Sequence, residues 1–456
     1  LSFSKSMSTS PARATAFDVL LRIAQQEAYP SELLHSNQYA QLSPADHGLA
    51  TELVMGVLRW RSLLDAEINR FSDKRVEKLD IEVLTALRLA AYQLLFLDRI
   101  PGRAAVHESV EMVKRARKGS AVPFANAVLR KLAGSASALP RSTPTPVQIE
   151  ATQYGSAAEL STRLAHPLWL VERWVRQFGL ARAQQVCRYD QLEPTPAVRL
   201  AEAGAEAELR LDGIDLAAGQ LLASARRVRS GNISRTRAFA EGRVAIQDEA
   251  SQLVALLVGR GSRILDCCAA PGGKTRVLAE RNPDANIVAL ELRAHRARLL
   301  RKLVPASNVE VISSDVLEFV PGSGFDRVLA DVPCSGTGTL AHNPEIKWRL
   351  TPEDLADLHG RQLAILLAAM QKVEVGGRLV YSTCSLEPEE NEEVVEAALS
   401  GKAPFSVLDC RAELERLEAE GELVWKPDSL VSGRFLRTVP GVHPCDGFFV
   451  AILQRS

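Results

Sequence analysis

Arg263-Ile264-Leu265-Asp266-Cys267-Cys268-Ala269-Ala270-Pro271-Gly272-Gly273-Lys274-Thr275 decides the fold. A short apolar run ends on an acid, passes through small residues and two glycines, and leads into a helical pattern. Small residues let backbone approach a ligand closely, and a helix N-terminus offers unpaired N–H groups. Around this stretch the pattern repeats. Strands are expected at 263–267, 287–292, 309–313, 327–331 and 378–382, with a last one at 448–453, and helical segments separate most of them. Such alternation predicts a doubly wound, mostly parallel sheet. Ligands of these sheets lie at the carboxyl ends of the strands.

Upstream, residues 12–135 read as all-helical. Phe17, Leu20, Leu21 and Ala24 fall at i, i+3, i+4 and i+7, and a longer stripe runs through Leu49, Leu53, Val57, Trp60, Leu64 and Ile68. Ser43 and Pro44 are placed as N-cap and first-turn proline. Further helices are expected at 81–98, 105–117 and 123–132. Short-linked helices with one apolar face each make a bundle. Residues 134–146 then bring Gly, Ser, Thr and three prolines, a linker composition. Between 147 and 240 the pattern is mixed and defines no fold. Helices are expected near 167–178 and 181–189, followed by a strand at 197–201. The expected organisation is a disordered 1–11, a helical domain at 12–135, a linker at 136–146, a small mixed connecting subdomain at 147–243 and an α/β, Rossmann-like domain at 244–456.

A chain of 456 residues exceeds one ordinary core, which agrees with several domains. No apolar run approaches the roughly 20 residues that span a bilayer. Net charge is zero, yet residues 1–135 hold 18 Lys/Arg against 14 Asp/Glu, and 226–237 carries five arginines and no acid. Such an excess either tracks phosphates or forms a solvated face, and charge alone leaves both open. Seven cysteines without a C-x-x-C pair read as neither a disulfide framework nor a zinc site. They fit a reducing, cytoplasmic setting. The histidines are scattered, and no metal is expected. Leu1 to Pro11 is Ser-rich and acid-free, but helical patterning from Ala12 leaves too little chain for a transit peptide. Met7 is the candidate initiator.

Three cofactors compete for the loop after Asp266. A nucleoside triphosphate needs G-x-x-x-x-G-K-[ST], and Cys268 stands where the first glycine belongs. A dinucleotide needs G-x-G-x-x-G, which is absent. S-adenosylmethionine carries no phosphate, and a loop of small residues with acids at the following strand ends suits it. Glu291 closes the second strand, placed for ribose hydroxyls, and Asp315 closes the third, placed for the adenine amino group. One strand-end acid means little, because strand ends are commonly polar; three in order mean more.

The fourth strand ends Ala330-Asp331-Val332-Pro333-Cys334-Ser335-Gly336-Thr337-Gly338, and the fifth ends Ser382-Thr383-Cys384-Ser385. Neighbouring strand ends place both thiols over one cleft. A lone cysteine is usually a small buried hydrophobe, but two at adjacent strand ends beside an acid are hard to explain as packing. Methylation of a pyrimidine carbon would use them. Cytosine carbon 5 becomes nucleophilic only after a thiolate adds to carbon 6, and a base must then remove the carbon 5 proton. Asp331 is positioned to hold the amino group and ring nitrogen. The base must also be unstacked or single-stranded.

Cys268-Ala269-Ala270-Pro271-Gly272-Gly273-Lys274, Asp331-Val332-Pro333-Cys334-Ser335-Gly336-Thr337-Gly338 and Ser382-Thr383-Cys384-Ser385 together resemble the RNA 5-methylcytosine methyltransferases of the Sun/Fmu and nucleolar-protein type. Gln247-Asp248-Glu249-Ala250-Ser251-Gln252 and Asp446-Gly447-Phe448-Phe449 are similar too, so the resemblance covers roughly residues 150–455. It implies that Cys384 attacks, that Cys334 assists product release, and that Cys268 to Lys274, Glu291, Asp315 and Asp331 line the cofactor cleft. Residues 12–135 resemble a NusB-type RNA-binding domain. The combination implies 16S ribosomal RNA as substrate and a monomeric enzyme. Glu291 departs from the family's usual aspartate, and Val332 from a common alanine. A non-catalytic RNA-binding factor would be free to lose one thiol. A DNA cytosine-5 methyltransferase would attack through the P-C cysteine and lack the T-C-S thiol.

Overall fold

Seven helices follow one another in the first part of the chain: α1 (Pro11–Gln26), α2 (Pro30–Leu34), α3 (Pro44–Arg59), α4 (Arg61–Phe71), α5 (Ile81–Phe96), α6 (Gly102–Arg115) and α7 (Val122–Ala138). The computed structural model describes residues 9–456 except 27–28, 35, 40, 139–151, 203 and 402. Most of the expected linker, and residues 1–8 of the amino-terminal segment, lie outside the described residues. The chain divides into two units. One comprises residues up to Leu192 with Leu340–Arg349; the other comprises Glu193–Thr339 and Leu350–Ser456.

In the first unit α5 is the axis, buried on nearly every side from Val83 to Leu95, as a helix apolar all round must be. Its polar groups are satisfied within the bundle. Arg88 donates twice to Asp65 at 2.7 Å, and Gln93 accepts from Arg13 at 2.6 Å. α3 begins as its sequence dictates, with Ser43 Oγ accepting from the Asp46 N–H at 3.1 Å ahead of Pro44. The long apolar stripe is two helices rather than one. Trp60 separates them (φ −104°, ψ 13°), its N–H closing α3 on Gly56 O and its ring 5.0 Å from Phe96. Only one residue leaves helical geometry, so the apolar period runs across the break. Helices Ala157–Arg163, Leu168–Phe178 and Leu180–Gln191 complete the unit around the fully buried Trp174.

The second unit opens with strands β1 (Ala197–Leu200), β2 (Asp215–Ala218), β3 (Ala225–Ser230) and β4 (Val244–Ile246). They form an antiparallel sheet, order β2-β3-β1-β4, over a core of Val198, Leu209, Leu216 and Val228. Three of the five arginines in 226–237 are engaged by carboxylates here. Arg226 meets Glu206 at 2.7 Å, Arg227 lies 3.4 Å from Glu249, and Arg237 meets Glu241 at 2.6 Å. Glu249, fully buried, also accepts from the N–H groups of Leu221 and Leu222 at 2.7 and 2.9 Å.

Nine strands build the larger sheet: β5 (Arg263–Asp266), β6 (Asn286–Leu290), β7 (Val309–Ile312), β8 (Phe325–Asp331), β9 (Val373–Thr383), β10 (Phe405–Leu408), β11 (Val431–Ser432), β12 (Phe435–Arg437) and β13 (Phe449–Arg455). The run β7-β6-β5-β8-β9 is parallel. Beyond β9 the pairing turns antiparallel, through β13, β12 and β11, with β10 also on β13. Between β11 and β12 the two-residue Gly433-Arg434 turn permits only that sense. Side chains alternate with the pleat. Ile264, Leu329, Val380 and Val450 enter one core, while Leu265, Val328, Leu379, Tyr381 and Phe449 enter the other. Among the described residues no helix is long and apolar enough to cross a membrane, and no cluster of His, Cys, Asp and Glu could hold a metal ion.

Candidate active site

Strand order reverses at β5. The chain passes outward from β5 to β6 and β7, then returns to β8 on the other side of β5. In doubly wound sheets the crevice at this reversal receives the ligand. Asp266 ends β5 and Asp331 ends β8, so two acids flank it.

The β5 loop enters the helix Gly273–Arg281 through Gly272, whose φ of +115° belongs to the left-handed region. A Cβ there would also lie 2.6 Å from Leu300 and 2.7 Å from Val304, so glycine is required twice over. Asp266 is buried, and Thr275 Oγ1 donates to its Oδ2 at 2.7 Å. Burial pushes its carboxyl up to about 6 despite that bond, and its Oδ1 has no hydrogen-bond partner among the described residues. Glu291, past the end of β6, is buried and accepts from the Arg293 N–H at 2.8 Å. Asp315, past β7, accepts from the Leu317 N–H at 2.9 Å.

Lys274 crosses the crevice. Its ammonium donates to Asp331 Oδ2 at 2.7 Å and lies 5.1 Å from the centre of the Phe448 ring. Burial disfavours this charge, but Asp331, with smaller help from Cys384 and Asp266, more than offsets it and raises the lysine's pKa. The other Asp331 oxygen accepts from Ser382 Oγ at 2.7 Å. Since Asp331 and Ser382 are register partners on parallel β8 and β9, the residues just beyond them emerge side by side.

Those residues carry the thiols. Cys334 Sγ and Cys384 Sγ are 3.2 Å apart, and the Cys384 N–H donates to Cys334 Sγ at 3.3 Å. Neither is in a disulfide. The Cys334 thiol is pushed well above the usual range, first by its hydrogen bond to Cys384, then by burial and by the charges of Cys384 and Glu390. Cys267 and Cys268, in the β5 loop, have thiols raised by burial.

Sequence reading missed the residue that ties the two thiol loops together. Glu390, fully buried, accepts from the Ser335 N–H at 2.8 Å, from Gln362 at 2.8 Å, and from the hydroxyls of Ser335 and Ser385. Ser335 follows Cys334, and Ser385 follows Cys384. Next to Glu390, Asn391 accepts from Thr383 Oγ1 at 2.5 Å and donates to Ser385 O at 3.0 Å. In sequence Glu390 is one of five acids ahead of the helix Glu392–Leu399 and within its first turn, where acids commonly offset the helix dipole. Nothing local separates it from Glu389. Close approach adds a second tie: Gly447 N–H donates to Gly338 O at 2.7 Å.

This geometry agrees with what the chain is similar to. Residues 254–454 match the family of 16S rRNA methyltransferases RsmB/F, and residues 10–134 match the NusB family. A probable ribosomal RNA small subunit methyltransferase B of Bacillus subtilis is 33% identical over 466 residues, covering 99% of this chain and 100% of that relative. The ribosomal RNA small subunit methyltransferase B of Pseudomonas putida is 32% identical over 92% of this chain and 94% of its own length. The crystal structure of PH0851 superposes with a TM-score of 0.76 over 97% of this chain and 98% of that one; at 23% identity this bears on fold alone. A methyltransferase homologue from Pyrococcus horikoshii aligns with a TM-score of 0.54 and 26% identity over 67% of this chain and all of its own. Fold and matches define a methyltransferase joined to a NusB-type helical domain. The chain belongs to the 16S rRNA methyltransferase RsmB/F family.

Proposed function

We propose that this enzyme methylates carbon 5 of a cytosine in 16S ribosomal RNA, using S-adenosylmethionine and a covalent bond from Cys384 to the base. The observation that carries the reading is the sulfur pair, 3.2 Å apart at neighbouring strand ends beside Asp331. Methylation of oxygen or of an amino nitrogen needs neither thiol.

The cleft's donor set fits S-adenosylmethionine. Asp266 Oδ1, which has no hydrogen-bond partner among the described residues, Glu291 and Asp315 offer acceptors at three successive strand ends. Residues 268–274 lead from β5 into the helix Gly273–Arg281 beside these acceptors. With Asp331 these residues would hold the cofactor, which when bound supplies a methyl group made electrophilic by its sulfonium. The chain's own side chains prepare the base. Asp331, held by Lys274 and Ser382, orients the amino group and ring nitrogen. Cys384 adds to carbon 6, and the electron pair of the carbon 5–carbon 6 bond becomes available at carbon 5. Removal of the carbon 5 proton, with Cys334 as base, restores the double bond and expels Cys384 as thiolate. In the helical unit, eight basic residues against two acids between 99 and 131 favour contact with RNA phosphates.

The direct test is tritium transfer from labelled cofactor to 16S rRNA, followed by nucleoside analysis and bisulfite mapping. Label recovered as 5-methylcytidine supports the assignment, and label in any other nucleoside overturns it. The Glu390 clamp makes a further prediction. Removing its carboxylate in Glu390→Ala takes the shared acceptor from two buried hydroxyls, the Ser335 N–H and the Gln362 amide, and frees the thiol loops to shift. A displacement near 1 Å costs about 10²-fold in rate. The expected result is a kcat lowered by that order with the KM for RNA and the circular dichroism nearly unchanged. An unaltered kcat would make Glu390 a bystander.

A further inference from the structure

Within the helical unit lies a cavity of about 260 Å³, lined by apolar side chains of α1 and α3 and by Arg61, Arg88, Glu345, Trp348 and Arg349. Glu345 is 1% exposed, and neither of its carboxylate oxygens has a hydrogen-bond partner among the described residues. A buried carboxylate left alone is costly by several kcal/mol, so this wall calls for a partner that brings donors.

Arg349 acts on Glu345 through its charge, but the hydrogen bonds of the neighbouring cations go elsewhere. Arg88 places two N–H groups on Asp65 at 2.7 Å. Lys347 donates to Arg59 O at 2.9 Å, and Arg349 donates to Ile23 O at 3.1 Å. Arg61 lies 5.6 Å from the centre of the Trp348 ring. Trp348 is itself fixed, its indole N–H donating to Leu58 O at 2.5 Å. The lining therefore offers one double acceptor in Glu345, a guanidinium in Arg61 and apolar walls. Burial pushes the Glu345 carboxyl up to about 7, so near neutrality a bound donor is what tips it to its ionised, accepting form.

The volume admits one base and excludes a folded segment. The ligand must present two adjacent donors on one edge and acceptors elsewhere. Guanine does so, with N1–H and N2–H side by side on its pairing edge and O6 and N7 as acceptors. Adenine turns an acceptor, N1, toward the carboxylate. An arginine side chain has the donors but would add a further cation beside Arg61 and Arg88. We propose that this cavity binds a guanine nucleotide, with Glu345 accepting from the base's pairing edge and Arg61 facing its acceptors. The proposal is independent of the thiol chemistry.

Equilibrium binding to the full chain tests it, with GMP, IMP and AMP and with single-stranded RNA hexamers holding one guanosine or none. GMP should bind about tenfold more tightly than AMP, within the range that a bidentate base contact discriminates. IMP, which lacks the exocyclic amine, should fall between them. Glu345→Gln should lose the tenfold preference; should that variant not fold, the IMP comparison on the natural chain stands by itself. GMP binding marks a nucleotide site, and binding of the guanosine hexamer alone marks a site for RNA; either supports the proposal. Equal affinity for GMP and AMP together with indifference of the hexamers to guanosine, or no binding of any probe, overturns it.

Discussion

Cys384→Ala is expected to abolish methyl transfer to 16S rRNA, lowering the rate by roughly 10⁴-fold or more, as loss of a covalent nucleophile does. The residual rate would come from binding alone, because without addition at carbon 6 the ring carbon does not attack. The substitution removes one half-buried sulfur from a strand end. It leaves in place the backbone N–H that donates to Cys334, and the ties from Glu390 to Ser335 and Ser385. Binding of S-adenosylmethionine, measured by titration calorimetry, should therefore persist within about threefold, since none of the small-residue loop is touched. Cys384→Ser should not rescue activity, because a hydroxyl ionises far less readily than a thiol. Transfer of tritium at more than a tenth of the natural rate by Cys384→Ala would end the covalent reading.

Cys334→Ala should fail at the opposite end of the reaction. The base would be attacked and methylated, but the carbon 5 proton would stay and the carbon 6–sulfur bond would not break. The expected result is a denaturant-resistant RNA–protein adduct, seen as a shifted band on a denaturing gel and absent when Cys384 is also replaced. The pKa pattern points the same way. The largest influence holding the Cys334 proton in place is its hydrogen bond to Cys384. Once the Cys384 sulfur is bonded to carbon 6 it is a poorer partner for that hydrogen bond, and Cys334 ionises more easily just when a base is required. A Cys334→Ala protein that releases product normally and traps no RNA would remove the second thiol from the mechanism.

Much of this site was legible along the chain because its parts are local. Gly272, Asp266 and Lys274 sit within one strand-loop-helix passage, and strand periodicity places Asp331 and Cys384 at strand ends. Of the antiparallel sheet of residues 197–246 only β1 was legible, as the strand expected at 197–201. Its strands are three to six residues long, too short for period-two patterning to stand out, and part of its order comes from Glu249, which reaches back to N–H groups 27 and 28 residues earlier. The break at Trp60 was hidden because one non-helical residue barely shifts the apolar phase.

By itself the sequence determined the alternation of strand and helix, the glycine-dependent loop and the two thiols, since hydrophobic period and backbone freedom are properties of neighbouring residues. Only the tertiary structure decided that Cys334 and Cys384, 50 positions apart, stand 3.2 Å from each other. It likewise singled out Glu390 from its acidic neighbours as the clamp on both loops, and left both oxygens of Glu345 buried without a hydrogen-bond partner among the described residues. The physical reason is the same in each case. Burial and hydrogen bonding depend on what the folded chain brings from elsewhere, and a charge shows whether it is paired only once water has been removed from around it.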